Sequence, residues 1–300
     1  MKRATPGYSR TAFSQAGIAA AAQAKHARAT WELGNLAAFG AFEAPDQAKA
    51  NEFYRQCADG GDAYCLLAYG RDLFYGRGDK PDLAKGLGLM LRAAELGHTY
   101  AMNELGFIFV YGKGEAKDVE RGLRFYEAGA DRDDIYSLNN LGLVYLRGAG
   151  RPQDPAKALT YFTRAADGGH PYAPTNLGRM ARDGVGGPKD LPAAAKWLEL
   201  AAERGDYWGA LDRGRLAKDP AEAARFYALA ATLNTPGDNY DPQMQANHLL
   251  AGVAAADKSR ALDQMAAQSD EPAPETSLDD KLIGTEGRIW RKRNPRFDLF

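Results

Sequence analysis

Residues 97–114 are GHTYAMNELGFIFVYGKG, and residues 154–170 are DPAKALTYFTRAADGGH. The first stretch carries apolar residues at helical spacing and ends at glycines, which adopt the left-handed conformation that closes a helix. The second begins with Asp154-Pro155, an acceptor for the free N–H groups of a first turn followed by a proline at the first helical position. The two stretches therefore predict the first and the second helix of a helical hairpin.

The same two motifs recur every 36 residues along the chain. A glycine marks each first helix, at Gly34, Gly70, Gly106, Gly142, Gly178 and Gly214. An aspartate precedes each second helix, at Asp46, Asp82, Asp118, Asp154 and Asp190, and a bulky column follows at Phe53, Leu89, Phe125, Tyr161 and Trp197. Because one hairpin cannot bury its apolar face alone, about six hairpins are expected to stack around one continuous core.

The repeat divides the chain into four segments. We expect an N-terminal capping helix in residues 1–28, the repeats in 29–231, C-terminal capping helices in 232–268, and a linker with a tail in 269–300. The sequence therefore predicts an all-α fold.

Composition limits the classes of function. The chain has 38 Lys and Arg against 39 Asp and Glu, a net charge of -1, which argues against a nucleic-acid-binding protein. It has no apolar run of the length that crosses a membrane. Basic residues near the N-terminus are not followed by the continuous apolar run of a signal peptide, so we expect a cytoplasmic protein, or a periplasmic or secreted one whose signal is absent from this chain.

The two motifs resemble those of the Sel1-like repeat family, a relative of the tetratricopeptide repeats, over residues 29–231. The resemblance implies a right-handed α/α superhelix, found in bacterial adaptors that bind a partner protein or peptide on a concave face. It favours a non-enzymatic scaffold without a cofactor. Two alternatives stay open: an inhibitor or immunity-type protein that neutralises a toxin or an enzyme, and a cysteine-rich Sel1-like hydrolase that binds β-lactams.

Cys57 and Cys65 lie in the segment QCADGGDAYC. Their spacing is similar to that of a cysteine pair in a secreted, cysteine-rich subfamily of these repeats, and the resemblance implies a disulfide bond. The alternative is that both are small core residues, like Ala93 and Ala101 of the next repeat.

Histidines are the candidates for a metal or catalytic site. His26, His98 and His170 share one column, which alternates with Asp62, Asp134 and Asp206. Asp or His in that column is expected to cap the first helix. Histidines two repeats apart are too distant to share one metal ion, and no catalytic motif accompanies them, so we expect neither a metal site nor an enzyme.

The first helix of each hairpin lines the concave face in related repeats, so polar and aromatic residues there are candidates for binding a partner protein. Asn can hydrogen-bond a peptide backbone, whereas Arg and Tyr are frequent in interaction hot spots. The alternatives are that Phe107 and Leu143 belong to the core and that the polar residues are only solvated. The candidates are Arg71, Tyr75, Asn103, Phe107, Tyr111, Asn139, Leu143, Thr175 and Arg179.

The tail is a second candidate binding segment. Residues 269–280 are acidic and carry turn formers, which is typical of a linker, whereas residues 287–300, GRIWRKRNPRFDLF, are basic and aromatic. Such a segment is expected to dock on its own repeats, on another protein or, less favourably, on an acidic membrane surface. The tail residues chosen are Trp290, Arg291, Arg293, Phe297 and Phe300.

Overall fold

The computed structural model describes residues 27–40 and 44–233. The capping helix predicted for residues 1–28 lies outside this part except for its last two residues, and so do residues 234–268 and the tail 269–300. What the sequence predicts for those segments stays a prediction.

The described residues form twelve helices and no strand, which confirms the all-α class. In chain order they are α1 Ala27–Phe39, α2 Gln47–Asp59, α3 Ala63–Tyr75, α4 Leu83–Glu95, α5 Thr99–Tyr111, α6 Val119–Ala130, α7 Ile135–Arg147, α8 Pro155–Asp167, α9 Ala173–Asp183, α10 Leu191–Glu203, α11 Tyr207–Leu216 and α12 Pro220–Leu233. They belong to two compact units, residues 1–152 with α1 to α7 and residues 153–300 with α8 to α12.

Consecutive helices pack in pairs within each unit. In unit 1, α1 packs on α2, α3 on α4 and α5 on α6, and each second helix also packs on the first helix of the next hairpin. In unit 2, the same pairing joins α9 to α10 and α11 to α12. The first helices of neighbouring hairpins also touch, α1 with α3 and α5 with α7 in unit 1, and α9 with α11 in unit 2. The predicted run of helical hairpins is confirmed.

Helix starts follow the predicted capping columns. The Asp118 carboxylate accepts the backbone N–H of Arg121 at 3.0 Å, and Asp46, Asp82, Asp154 and Asp190 make the same bond three residues on. The alternating column also caps as predicted, since His98 Nδ1 accepts the N–H of Ala101 and Asp134 accepts that of Ser137. These bonds satisfy donors that a helix leaves free in its first turn.

Helix ends follow the predicted glycine loops. Gly112 has a φ of 66° and donates its N–H to the Ile108 carbonyl, as a left-handed helix cap does. Gly76, Gly148 and Gly184 close α3, α7 and α9 in the same way. Single capping residues therefore set where these helices start, and single glycines set where the first helices end.

The core column of the second helices differs by one position from the predicted bulky column. Phe53 and Phe125 are half-buried, whereas Tyr54 and Tyr126, one residue later, are buried. Tyr126 packs its ring on Gly106, where a β-carbon would overlap it, and Tyr54 packs on Gly34 in the same way. The glycine in each first helix thus admits the large side chain of its partner helix.

Cys57 and Cys65 form a disulfide bond between the end of α2 and the start of α3, with their Cα atoms 5.7 Å apart. Both side chains are also buried, at 5% and 0% exposure, so they fill the core as well. The bond implied by the resemblance is present, and it crosses from one repeat to the next.

Candidate protein-binding surface

Each first helix turns a stripe of residues away from its own hairpin. On α3 the stripe consists of Tyr64, Ala68, Arg71 and Tyr75, which are three or four residues apart and so share one helix face. We call the corresponding positions of all first helices the first-helix stripe. In unit 1 they also include Tyr100, Glu104, Phe107 and Tyr111 on α5 and Tyr136, Asn140, Leu143 and Arg147 on α7. In unit 2 they are Tyr172, Asn176, Arg179 and Asp183 at α9 and Trp208, Asp212 and Arg215 on α11.

One position of the stripe is aromatic in five consecutive repeats. It is occupied by Tyr64, Tyr100, Tyr136, Tyr172 and Trp208, each 36 residues after the last, and every one of these side chains is at least partly exposed. Sequence reasoning missed this column, although the spacing that revealed the glycines would have found it. The small residues that directly follow this column, such as Cys65 and Ala101, indicate core positions instead.

The rings of this column are close to one another and to other rings in unit 1. Tyr64, which is 48% exposed, has Trp31 at 5.7 Å and the His98 ring at 4.5 Å between centroids. Tyr100 and Tyr136 are 6.2 Å apart. This face of unit 1 therefore carries a group of adjacent aromatic side chains, a kind of surface that protein partners contact.

Arginine side chains lie on several of these rings. The Arg28 guanidinium is 4.4 Å from the centroid of the Trp31 ring, and that of Arg71 is 5.5 Å from the Tyr100 ring. In unit 2, Arg179 lies 5.7 Å from the Trp208 ring and donates to Asp212 at 2.6 Å. Arg71 and Arg179, both predicted to bind a partner, are thus on the stripe and held in place.

The aromatic and apolar candidates are also on the stripe. Tyr111 is 40% exposed, and its ring lies tilted against that of Phe107 with 4.9 Å between the centroids. Phe107 and Leu143 are half-buried. The hydroxyl of Tyr75 donates to Glu104 at 2.8 Å, and burial together with this carboxylate raises the pKa of Tyr75. Neither Phe107 nor Leu143 belongs wholly to the core.

Three predicted residues lie beneath the surface rather than on it. Asn103, Asn139 and Thr175 are only 7%, 8% and 4% exposed. Asn103 accepts a hydrogen bond from Asn140 at 2.7 Å, and Thr175 donates to the buried Asp206 at 2.6 Å. Asn103 thus joins α5 to α7, and Thr175 joins α9 to the residue that precedes α11. The next residues along the chain, Glu104 and Asn140, lie on the stripe, where Glu104 is nearly buried as well.

In unit 2 a buried carboxylate gathers arginines. Asp212, which is 2% exposed, binds Arg179, lies 2.9 Å from Arg215 and is 3.9 Å from Arg182. These guanidinium groups are partly exposed. Asp212 therefore holds these guanidinium groups in place, and that of Arg179 lies near the Trp208 ring.

The part of the chain that the structure describes holds neither a cluster of metal ligands nor a helix that could span a membrane. There, no three His, Cys, Asp or Glu side chains come together as a metal site would require. None of the helices within 27–40 and 44–233 combines the length and hydropathy of a bilayer-spanning segment. His26 and the tail residues Trp290, Arg291, Arg293, Phe297 and Phe300 lie outside the described residues.

Comparison with known proteins identifies the repeat. The family model of the Sel1 repeat matches residues 27–62, 61–98, 99–134, 135–170, 171–206 and 207–235. No curated protein matches the chain.

Solved structures give the same fold. A Sel1 repeat protein from Oxalobacter formigenes is 23% identical with a TM-score of 0.62, over 73% of this chain and 88% of that one. The protective antigen c5321 of uropathogenic Escherichia coli is 23% identical with a TM-score of 0.63, over 92% of this chain and 59% of that one. The immunity protein Pa5087 of Pseudomonas aeruginosa is 17% identical over 75% of this chain and 81% of that one, and its TM-score of 0.47 is too low to support the inhibitor hypothesis.

Proposed function

Because the chain belongs to the Sel1 repeat family, we propose that it is a non-enzymatic scaffold that binds a partner protein along the first-helix stripe. The observation that carries the proposal is the partly exposed aromatic column, Tyr64, Tyr100, Tyr136, Tyr172 and Trp208. Tyr100 and Trp208 also pack against the core, yet every ring of the column keeps part of its surface exposed. Binding a partner protein would use this exposed part of each ring.

The chemistry of the stripe supports this proposal. Tyr, Trp and Arg are the residues most enriched in interaction hot spots, because they bury large areas and add hydrogen bonds. Here Arg71 is stacked on Tyr100, and Arg179 is held by Asp212 and stacked on Trp208. Side chains that are already ordered lose less entropy when a partner binds.

The test is capture of a partner by the full-length protein from the lysate of its source, followed by affinity measurement with the purified partner. Tyr64→Ala and Arg71→Ala remove an exposed ring and a stacked guanidinium from the stripe of unit 1. We expect each to weaken binding by about tenfold, the usual loss at a hot spot.

Matched controls lie on second helices. Leu159→Ala changes an apolar residue of α8 that is 37% exposed, and Arg124→Ala changes an exposed arginine of α6. Both should bind the partner as the wild type does. If the stripe variants and the controls bind equally well, or if the wild type captures no partner, the proposal is wrong. A single tight partner that is a toxin or an enzyme would favour the inhibitor alternative.

A further inference from the structure

Glu104 is a carboxylate almost buried on the first-helix stripe. It is 4% exposed, although it lies on the face of α5 that carries the exposed Tyr111. Its one hydrogen bond comes from the Tyr75 hydroxyl, and none of the Lys, Arg or His side chains in residues 27–40 and 44–233 forms an ion pair with it. A charge held in this way without a cation is costly, and a cation that arrives there is strongly favoured.

The neighbouring cations have other contacts. Arg77 lies 3.7 Å from Asp72 and 5.0 Å from the centre of the Tyr75 ring. Arg71 lies over Tyr100, and Arg147 hydrogen-bonds the Tyr111 hydroxyl. None of these contacts is an ion pair with Glu104, although Arg71 and Arg77 lie close enough to lower the pKa of the Tyr75 hydroxyl that binds it.

A second polar group at the same place has no partner. Tyr126 is fully buried, and its hydroxyl makes no hydrogen bond within the described part of the chain. Its ring packs on Gly106 of the same helix as Glu104, and burial, with the charges of Tyr111, Glu104 and Tyr75, raises the pKa of its hydroxyl. A buried hydroxyl without a partner costs free energy, which a ligand with a hydrogen-bond donor would recover.

Comparison of two repeats explains why this hydroxyl is free. In the first repeat Tyr54 occupies the same column as Tyr126, and its hydroxyl donates to Asn35 at 2.8 Å. Two repeats later the position of Asn35 is taken by Phe107, which offers no acceptor. The third repeat therefore lacks the acceptor that the first repeat provides for this hydroxyl.

We propose that this group of residues, Glu104, Tyr126, Tyr75, Phe107 and Tyr111, binds a basic side chain, Lys or Arg, of the partner protein. We call it the Glu104 site. The inference rests on the proposed function and adds the chemistry of the partner at one position. Charge complementarity carries it, since the carboxylate lacks a cation and the orphan hydroxyl can accept a hydrogen bond.

Each part of the Glu104 site matches a part of such a side chain. The ammonium or guanidinium group donates to Glu104 and to the Tyr126 hydroxyl. The faces of Phe107 and Tyr111, whose rings are 4.9 Å apart, take the aliphatic stem and attract the cation through their π-electrons. Entry from solvent is along Tyr111, which is 40% exposed.

The experiment uses the full-length protein and an array of immobilised 12-residue peptides of random sequence. We expect the peptides that bind to share a Lys or an Arg at one position. The tightest peptide is then synthesised with that residue replaced by its neutral analogue, acetyl-lysine or citrulline, and affinities are measured by calorimetry for the wild type and for Glu104→Gln. We expect the neutral peptide and the Glu104→Gln variant each to lose about thirtyfold, because each leaves one charge unpaired.

The combination of the two changes gives the decisive result. The neutral peptide with Glu104→Gln should lose no more than either change alone, since both remove the same interaction. Independent, additive losses, or an unchanged affinity of Glu104→Gln, would overturn the inference. Glu95→Gln, an exposed glutamate of α4 in the same unit, is the control and should bind like the wild type.

Failure of the inference can be told from failure of the proposed function. Peptides that bind without a shared basic residue would refute the Glu104 site and leave the scaffold intact if Tyr64→Ala still weakens them. If the wild type binds no peptide, both are refuted. Thermal unfolding of Glu104→Gln and Tyr126→Phe checks that each variant is folded, and Tyr126→Phe should bind the basic peptide several-fold more weakly, because it removes one acceptor.

Discussion

Two glycines in helix interiors of unit 1 differ in what surrounds them. A methyl group at Gly106 would overlap the Tyr126 ring, whereas one at Gly88 on α4 would meet no atom within 4 Å. We expect Gly106→Ala to lower the free energy of unfolding by about 1–3 kcal/mol, because the core is already filled. Gly88→Ala should raise it by about 0.5–1 kcal/mol, because alanine loses less backbone entropy in a helix. Urea denaturation followed by circular dichroism measures both, and equal effects would contradict the assigned packing.

His170 makes the stability of unit 2 depend on pH. Its Nδ1 accepts the backbone N–H of Ala173 at 3.1 Å, and its side chain is 2% exposed. Protonation of Nδ1 would abolish this cap, and burial, helped by the Arg204 charge, lowers the pKa of His170 from 6.5 to about 3. Between these two values the unfolded chain binds a proton that the folded chain does not, so stability is lost as the pH falls.

The variant that isolates this histidine is His170→Asn, since asparagine can cap a helix and does not titrate. Carboxylates also titrate in acid, but they are common to both proteins. From pH 7 to pH 4 we expect the wild type to lose about 1 kcal/mol per pH unit more than the variant. The free energy of unfolding at several pH values measures the difference. Parallel pH profiles would show that His170 does not cause it.

At the scale of the helices, features that depend only on adjacent residues could be predicted from the sequence, whereas features that depend on packing could not. Helix starts and ends were predicted correctly because a carboxylate such as Asp118 acts on its own first turn and a glycine such as Gly112 on its own last one. The side of a helix that faces its neighbour depends on packing. For this reason the sequence showed a bulky column at Phe125 and its equivalents but not that the buried column lies one residue later, at Tyr126. Asn103 and Glu104 are both nearly buried, at 7% and 4% exposure, which their spacing along the helix does not indicate.

The disulfide bond is a prediction at the scale of two helices, since it ties α2 to α3. We expect neither cysteine of the unfolded, non-reduced protein to react in a thiol titration, and both to react after reduction. A cross-link over 8 residues stabilises by about 2–3 kcal/mol, because it restricts the unfolded chain. The double variant Cys57→Ala and Cys65→Ala should therefore be less stable by this amount.

The next repeat supplies the reason for choosing alanine. Ala93 and Ala101 occupy the positions of the two cysteines there and are fully buried, so alanine reproduces a packing that the fold already uses. Two reactive thiols in the non-reduced protein would contradict the bond. An intact bond in protein taken from the cell would favour a periplasmic or secreted location over the cytoplasmic one that the sequence favours.

At the scale of the whole molecule, the columns that build the fold differ from those of the proposed binding surface, although both belong to the same repeat. The glycine, aspartate and small-residue columns are nearly constant, because every hairpin must pack on the next. The stripe has one position that is aromatic in five consecutive repeats and others that vary, with Arg71, Phe107 and Leu143 at one of them. Because the glycine, aspartate and small-residue columns are nearly constant, the fold could be predicted from the sequence. The proposed partner would contact the stripe, whose exposure and contacts depend on the neighbours that folding brings to it.

The separation of columns leads to a prediction about the tail. The stripe lies within residues 28–215, so a chain shortened to residues 1–268 keeps every position of it. We expect this truncation to capture the same partner as the full-length protein with a similar affinity and to unfold at the same temperature. Tyr64→Ala in the shortened chain should still weaken binding by about tenfold. If truncation instead abolishes capture while Tyr64→Ala has no effect, recognition belongs to Trp290, Arg291, Arg293, Phe297 and Phe300. A lower unfolding temperature with unchanged capture would mean that the tail stabilises the repeats rather than binding the partner.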